Sequence, residues 1–222
     1  GCTASANGGI GIKAGLASNI SHCSAISNLG INGINADFGS TIAHCTARAN
    51  SNSGTISIGI SLAGRGSVLN CTVTDTTNTN ATPSSLTGAG ISIGFASLVK
   101  DCVVENNKGD GILANGTSQI IGNTCDGNGF GPGIGAGIHT VSTRNRIEGN
   151  TVTGNDRGIE VDGTASLIIK NSAGGNTTNY DIVSSNRYGP IVDISAAGSA
   201  AVSGSSATSV LTTTDPNANF SH

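Results

Sequence analysis

At 222 residues, with 34 Gly, 4 Pro, 10% charged residues and a net charge of −3, the chain is long enough for one elongated domain. It has no basic patch for nucleic acid or an anionic membrane surface. No apolar run approaches the length of a membrane-spanning helix, and no stretch carries a helical period. The chain contains no Met and is in register from Cys2. That reads as a mature product or fragment whose signal sequence or upstream coils have been removed. An Asn- and Thr-rich surface with few charges suits a secreted or cell-surface protein.

In chain order, one short template recurs. Its clearest copy runs from Gly149 to Gly163: Asn, one residue, an apolar residue, two residues, a second Asn, then Gly-Ile-x-Val. The first register position falls at Cys2, Cys23, Cys45, Cys71, Cys102, Asn123, Asn150 and Asn171, in steps of 21, 22, 26, 31, 21, 27 and 21 residues. A small apolar residue follows two places later each time. A second Asn follows at Asn7, Asn28, Asn50, Asn107, Asn128, Asn155 and Asn176, and only the copy containing Asp75 and Thr76 lacks it. Gly-Ile then opens a short alternating segment in seven copies, from Gly11-Ile12 to Gly158-Ile159. This period, with half-buried strands between Gly- and Asn-rich corners, predicts an all-β stack of about eight parallel coils. Gly and Asn are expected to supply the left-handed backbone at the corners, and columns of Asn to hydrogen-bond from coil to coil.

Three insertions, at 50–55, 74–89 and 128–136, fall between the second Asn and the Gly-Ile strand, so they project from one corner. Residues 1–194 are expected to form the stack. Residues 195–222 are a low-complexity tail or cap rich in Ala, Ser, Thr and Gly. Five of the six Cys share one register position, which argues against a metal cluster and predicts either a column of buried thiols or vertical disulfides. His22 and His44, each one place before a Cys, are expected to be vertical neighbours on an exposed corner.

The N-x-V-x-x-N-x-x-G-I-x-V repeat resembles that of the right-handed parallel β-helix repeat proteins, over roughly residues 1 to 194. Their superfamily includes the pectate lyases, and the nearest likeness is to secreted bacterial repeat proteins of unassigned function. The resemblance implies three sheets per coil. In the pectate-lyase-like enzymes it also implies a substrate lying on the sheet after the insertion corner. The outward residues of that sheet are Lys13, Asn35, Ser61, Ser92, Leu113, His139 and Glu160, with Asp37, Asn115 and Asp162 two places on.

His139, Glu160 and Asp162, with Arg157 nearby, form the sharpest constellation, one that could bind a divalent cation (Glu160 and Asp162 as ligands) or supply an acid and a base for uronate β-elimination. Against that, Ser61, Ser92 and Leu113 interrupt the face, Gly137-Ile138-His139 does not match the hydrolase branch, and Trp is absent as a sugar platform. The bland alternative is a solvated charged edge. The sequence therefore favours a non-catalytic structural solenoid without a cofactor, Ca²⁺ entering only if the chain is a lyase-like enzyme. Its expected partner is itself, through end-to-end stacking with the tail bridging neighbours or capping its own coils; an extracellular glycan is the alternative.

Overall fold

The computed structural model describes residues 1–54, 56–79, 86–129, 135–194 and 214–222. Parts of the three insertions (residues 55, 80–85 and 130–134) and residues 195–213 of the tail lie outside the described residues. The architecture is a right-handed parallel β-helix of about eight coils. Each coil contributes one short strand to each of three parallel sheets.

The first sheet contains Thr3–Ser5, Ser24–Ile26, Thr46–Arg48, Thr72–Thr74, Val103–Glu105, Thr124–Asp126, Thr151–Thr153 and Ser172–Gly174. The second runs from Ile12–Ala14 through Ala136–Thr140 and Arg157–Val161 to Thr178–Ile182. The third runs from Asn19–Ser21 to Arg187–Tyr188. Register is kept throughout: Ile34 faces Ile60, Ile60 faces Ile91, and Ile112 faces Ile138. Inward positions therefore form columns, with fully buried Ile from the second and third sheets packed across small residues such as Ala47, Val73 and Val152 from the first. Each such Ile contributes about 1.5–3 kcal/mol by leaving water.

The corners differ from the sequence expectation in one respect. The ladder Asn are not the left-handed residues; the residue just before each of them is. Among the non-glycine residues there, φ lies between 50 and 66° at Ala6, Ser27, Ala49, His22, His44, Asn70, Lys170 and their equivalents. Placing the left-handed residue first turns the next side chain inward, where its amide meets the coil above. The strain of roughly 1–2 kcal/mol for a non-glycine residue is offset by that ladder.

In the second Asn column, Asn28 Oδ1 accepts both the backbone N–H and the side-chain amide of Asn7, at 3.1 and 2.8 Å, and Asn128, Asn155 and Asn176 repeat the pattern. This column also explains the Gly of Gly-Ile. A Cβ at Gly11 or Gly33 would lie 2.5 Å from the ladder amide of Asn28 or Asn50, and at Gly90 2.8 Å from that of Asn107.

A third ladder escaped the sequence reading. Ser18, Ser97, Ser118, Asn145 and Ser166 each donate a backbone N–H to the hydroxyl or amide oxygen of the next coil, ending at Asn186. Mixed Ser and Asn obscured the column, although a polar-x-apolar spacing opens every third-sheet strand except Ser67–Leu69, which follows Gly66. Of the first two insertions, Ser51–Asn52 and Thr77–Asn78 pair as a small separate sheet.

At the far end, chain order and spatial order part. Asn219–Ser221 lies between Ser172–Gly174 and Ile191–Asp193 in the first sheet. Asn219, fully buried, continues the first ladder by accepting from Asn171 N and Nδ2 at 3.0 and 3.1 Å. The hydroxyl of Tyr180 lies 2.8 Å from the Phe220 carbonyl. The described end of the tail is thus a rung of its own stack. Those residues pair with their own chain, so a role as a free strand for a neighbour does not rest on them.

Candidate functional site

The outward column on the second sheet has the register expected from the repeat: Lys13, Asn35, Ser61, Ser92, Leu113, His139, Glu160 and then Asp181. Over the middle coils it is chemically plain. At His139 and Glu160 it becomes a compact polar cluster, and the expected solvated edge is replaced by burial, since each of the two residues is only 8% exposed.

The residue that causes this is Asp110, which sequence reasoning passed over. It stands directly before Gly111-Ile112, one coil below His139, and is 1% exposed. Its Oδ2 lies 2.8 Å from His139 Nδ1, while its Oδ1 accepts the Ala136 N–H at 2.8 Å. The signal that could have found it is an Asp at a register place where other coils carry Ala89 or Ala136.

On the other side of the ring, His139 Nε2 lies 3.1 Å from Asp162 Oδ2. Glu160 Oε2 stands 3.8 Å from Nδ1, and Glu160 Oε1 accepts from Arg157 at 2.6 Å; Arg157 also reaches Asp181 at 3.4 Å. The structure therefore brings together His139, Glu160, Asp162 and Arg157. Burial opposes charge on the imidazole, but the hydrogen bond to Asp110, the fields of Asp110 and Glu160 and the bond to Asp162 outweigh it and raise its pKa to about 9. At neutral pH the metal-free ring is a cation held on both nitrogens. It is a poor general base. The guanidinium of Arg157 is likewise held charged by Glu160.

Ca²⁺, which the resemblance implies for an enzyme of this fold, takes six to eight oxygen ligands. Here an imidazole nitrogen occupies the centre and Asp162 lies beyond the far side of the ring, so these residues do not fit Ca²⁺.

The six Cys are free thiols, and Cys2 and Cys23 Sγ are 3.6 Å apart. All but Cys2 are buried. Burial pushes the Cys125 thiol far up, while Cys71 is pushed up to about 12, chiefly by its hydrogen bond with Cys102. Such thiols are poor nucleophiles. His22 and His44 stack with ring centroids 5.0 Å apart on an exposed corner.

A count of Trp and Tyr misses two other residues. Phe38 and Phe95, 51% and 57% exposed, line with Arg65 a shallow groove of about 480 Å³ at the corner after the second sheet.

No protein-family model matches the chain, and no curated protein matches it. Among solved structures it is similar to the crystal structure of pectate lyase Pel9A, with 14% identity and a TM-score of 0.47, over 74% of this chain and 49% of that one. The chain thus spans about half the length of that structure.

Proposed function

We propose that this chain is a non-catalytic structural β-solenoid of the cell surface or extracellular space, which associates end to end. The observation that supports it is the self-satisfied state of the catalytic-type cluster around His139. Both nitrogens of His139 are engaged by carboxylates, Glu160 is held by Arg157, and Asp110, His139 and Glu160 are buried, so among the described residues no poised base of this cluster faces a groove. By contrast, every coil invests in ladders whose effect is stiffness.

Exposed apolar side chains support association: Leu16, Leu29 and Ile31 are 70%, 59% and 49% exposed. Apolar groups gathered on a surface mark contact sites, and a head-to-tail contact of identical subunits propagates without closing.

The test joins two measurements. Incubation with Ca²⁺ and a panel of polyuronates, followed by absorbance of unsaturated products, is expected to show no turnover; turnover abolished by Glu160→Ala overturns the non-catalytic reading. Light scattering across a concentration series is expected to show mass growing with concentration and reduced by Leu16→Glu. A constant monomer mass overturns association.

A glycan-binding role is the second reading, favoured by Phe38 and Phe95, whose exposed rings offer the apolar faces on which sugars stack. Loss of glycan retention on replacing both with Ala would support it.

A further inference from the structure

The cluster on the second sheet is built for more than an ion pair. Asp110, His139 and Glu160 come from three successive coils, and their donor atoms all lie within 4.8 Å of one another. Each donor has one atom turned toward the common centre and its other polar atom held from outside. Asp110 Oδ1 takes the Ala136 N–H, His139 Nε2 meets Asp162, and Glu160 Oε1 takes Arg157. Ligands of a metal are oriented by such outer partners, and a carboxylate on the far imidazole nitrogen is one of the recurring ones. Of the inward atoms, Asp110 Oδ2 and His139 Nδ1 lie 2.8 Å apart, and Glu160 Oε2 stays outside that hydrogen bond. Glu160 Oε2, on a side chain only 10% exposed, stands 3.8 Å from His139 Nδ1, too far for a hydrogen bond.

We propose that Asp110 Oδ2, His139 Nδ1 and Glu160 Oε2 bind one divalent first-row transition cation, with Zn²⁺ as the fitting probe, and that the ion pins three coils together. The donor set of one imidazole and two carboxylates suits such an ion, unlike Ca²⁺. A tetrahedral Zn²⁺ with ligands near 2.0–2.1 Å places its donors about 3.3 Å apart. The observed 2.8 Å from Asp110 to His139 and 3.8 Å from His139 to Glu160 bracket that spacing, so a small movement of Glu160 closes the site. Two carboxylates and a neutral imidazole balance the charge of the ion. The ring proton then sits on Nε2, where Asp162 accepts it, and a water completes the fourth position. Three ligands from three coils make the ion a cross-link, a role that does not depend on the proposed self-association.

The experiment uses the full chain, reduced and stripped with EDTA, in a Cys2→Ser, His44→Ala background that removes the exposed thiol and the stacked imidazole pair as rival ligands. Equilibrium dialysis at pH 7 followed by metal analysis is expected to give one Zn²⁺ per chain. Saturation is expected to raise the melting temperature by roughly 5 °C or more. Glu160→Gln and His139→Asn should each weaken binding more than tenfold, and Asp162→Asn about tenfold with stoichiometry kept. Circular dichroism of the metal-free variants separates loss of a ligand from loss of the fold. If Glu160→Gln does not fold, His139→Asn and Asp162→Asn carry the same test. Co²⁺ in place of Zn²⁺ should give a spectrum without thiolate charge transfer. The proposal is overturned by absence of bound Zn²⁺, by binding unchanged in the folded ligand variants, by thiolate bands with Co²⁺, or by displacement of Zn²⁺ with a modest excess of Ca²⁺.

Discussion

From Cys2 to Cys102 the corner after the third sheet is a column of thiols, whereas from Asn123 to Asn219 the same corner is a column of amides. In the thiol half, the backbone N–H of each rung donates to the next Sγ at 3.3 to 3.5 Å, as from Cys2 to Cys23 and from Cys71 to Cys102. In the amide half, the same N–H donates to Oδ1 at 2.9 to 3.0 Å. The Asn side chain adds two bonds of its own. Asn150 Nδ2 donates to the Ile120 carbonyl at 2.9 Å and to Asn171 Oδ1 at 2.9 Å. Sulfur accepts and donates weakly. The shape of the corner therefore survives a change of chemistry, but the strength with which neighbouring coils are held does not.

Asn150→Ala should show the largest difference. It removes the acceptor of two buried donors of Asn123, leaving the backbone N–H unsatisfied and Nδ2 with only its bond to the Val99 carbonyl, and it deletes the two bonds that Asn150 Nδ2 donates. A loss of about 3–5 kcal/mol is expected in chemical denaturation. Cys45→Ala, at the equivalent place in the thiol half, should cost only about 1–2 kcal/mol, because it removes weak bonds and one sulfur's packing.

The next effect belongs to His139 in the EDTA-treated protein. The folded ring titrates near 9 against an ordinary 6.5. Its stabilisation is therefore complete below pH 6.5, shrinks as pH rises from there through 9, and is gone above. On the order of 3 kcal/mol should disappear over that window, and His139→Gln should flatten this part of the stability profile. A wild-type profile equally flat would show that Asp110 and Asp162 do not hold the ring charged.

Smallest is a repair. Thr76 interrupts the second Asn column, and its Oγ1 is buried with no hydrogen-bond partner. Thr76→Asn should restore the acceptor for Asn50 and raise stability by about 1 kcal/mol, read as a shift of the denaturation midpoint.

The columns were legible in the sequence because a β-helix stacks like on like. One residue type repeated at one register place is enough to reveal a ladder, and Cys23 over Cys45 or Asn128 over Asn155 could be read without coordinates. The third ladder was hidden because Ser97, Ser118 and Asn145 share hydrogen-bonding ability but not identity. Asp110 was hidden for the opposite reason: its column is mixed, running through Asn32, Ile58, Ala89, Ala136 and Arg157, and its meaning comes only from His139 lying one coil away. The final rung at Asn219 could not be inferred from spacing, since 48 residues separate it from Asn171, its hydrogen-bond partner. The role of Gly in Gly-Ile as room for a neighbouring Asn amide likewise needed the distance across coils.

Amide hydrogen exchange tests most directly whether these columns hold the coils together. In the native protein at neutral pH, the backbone N–H groups of Cys45 and Cys71, which donate to sulfur, should exchange at least about tenfold faster than those of Asn123 and Asn150, which donate to amide oxygen. Equal protection at the four sites, all of them buried in the same corner of the same fold, would contradict the assignment of coil cohesion to the ladders.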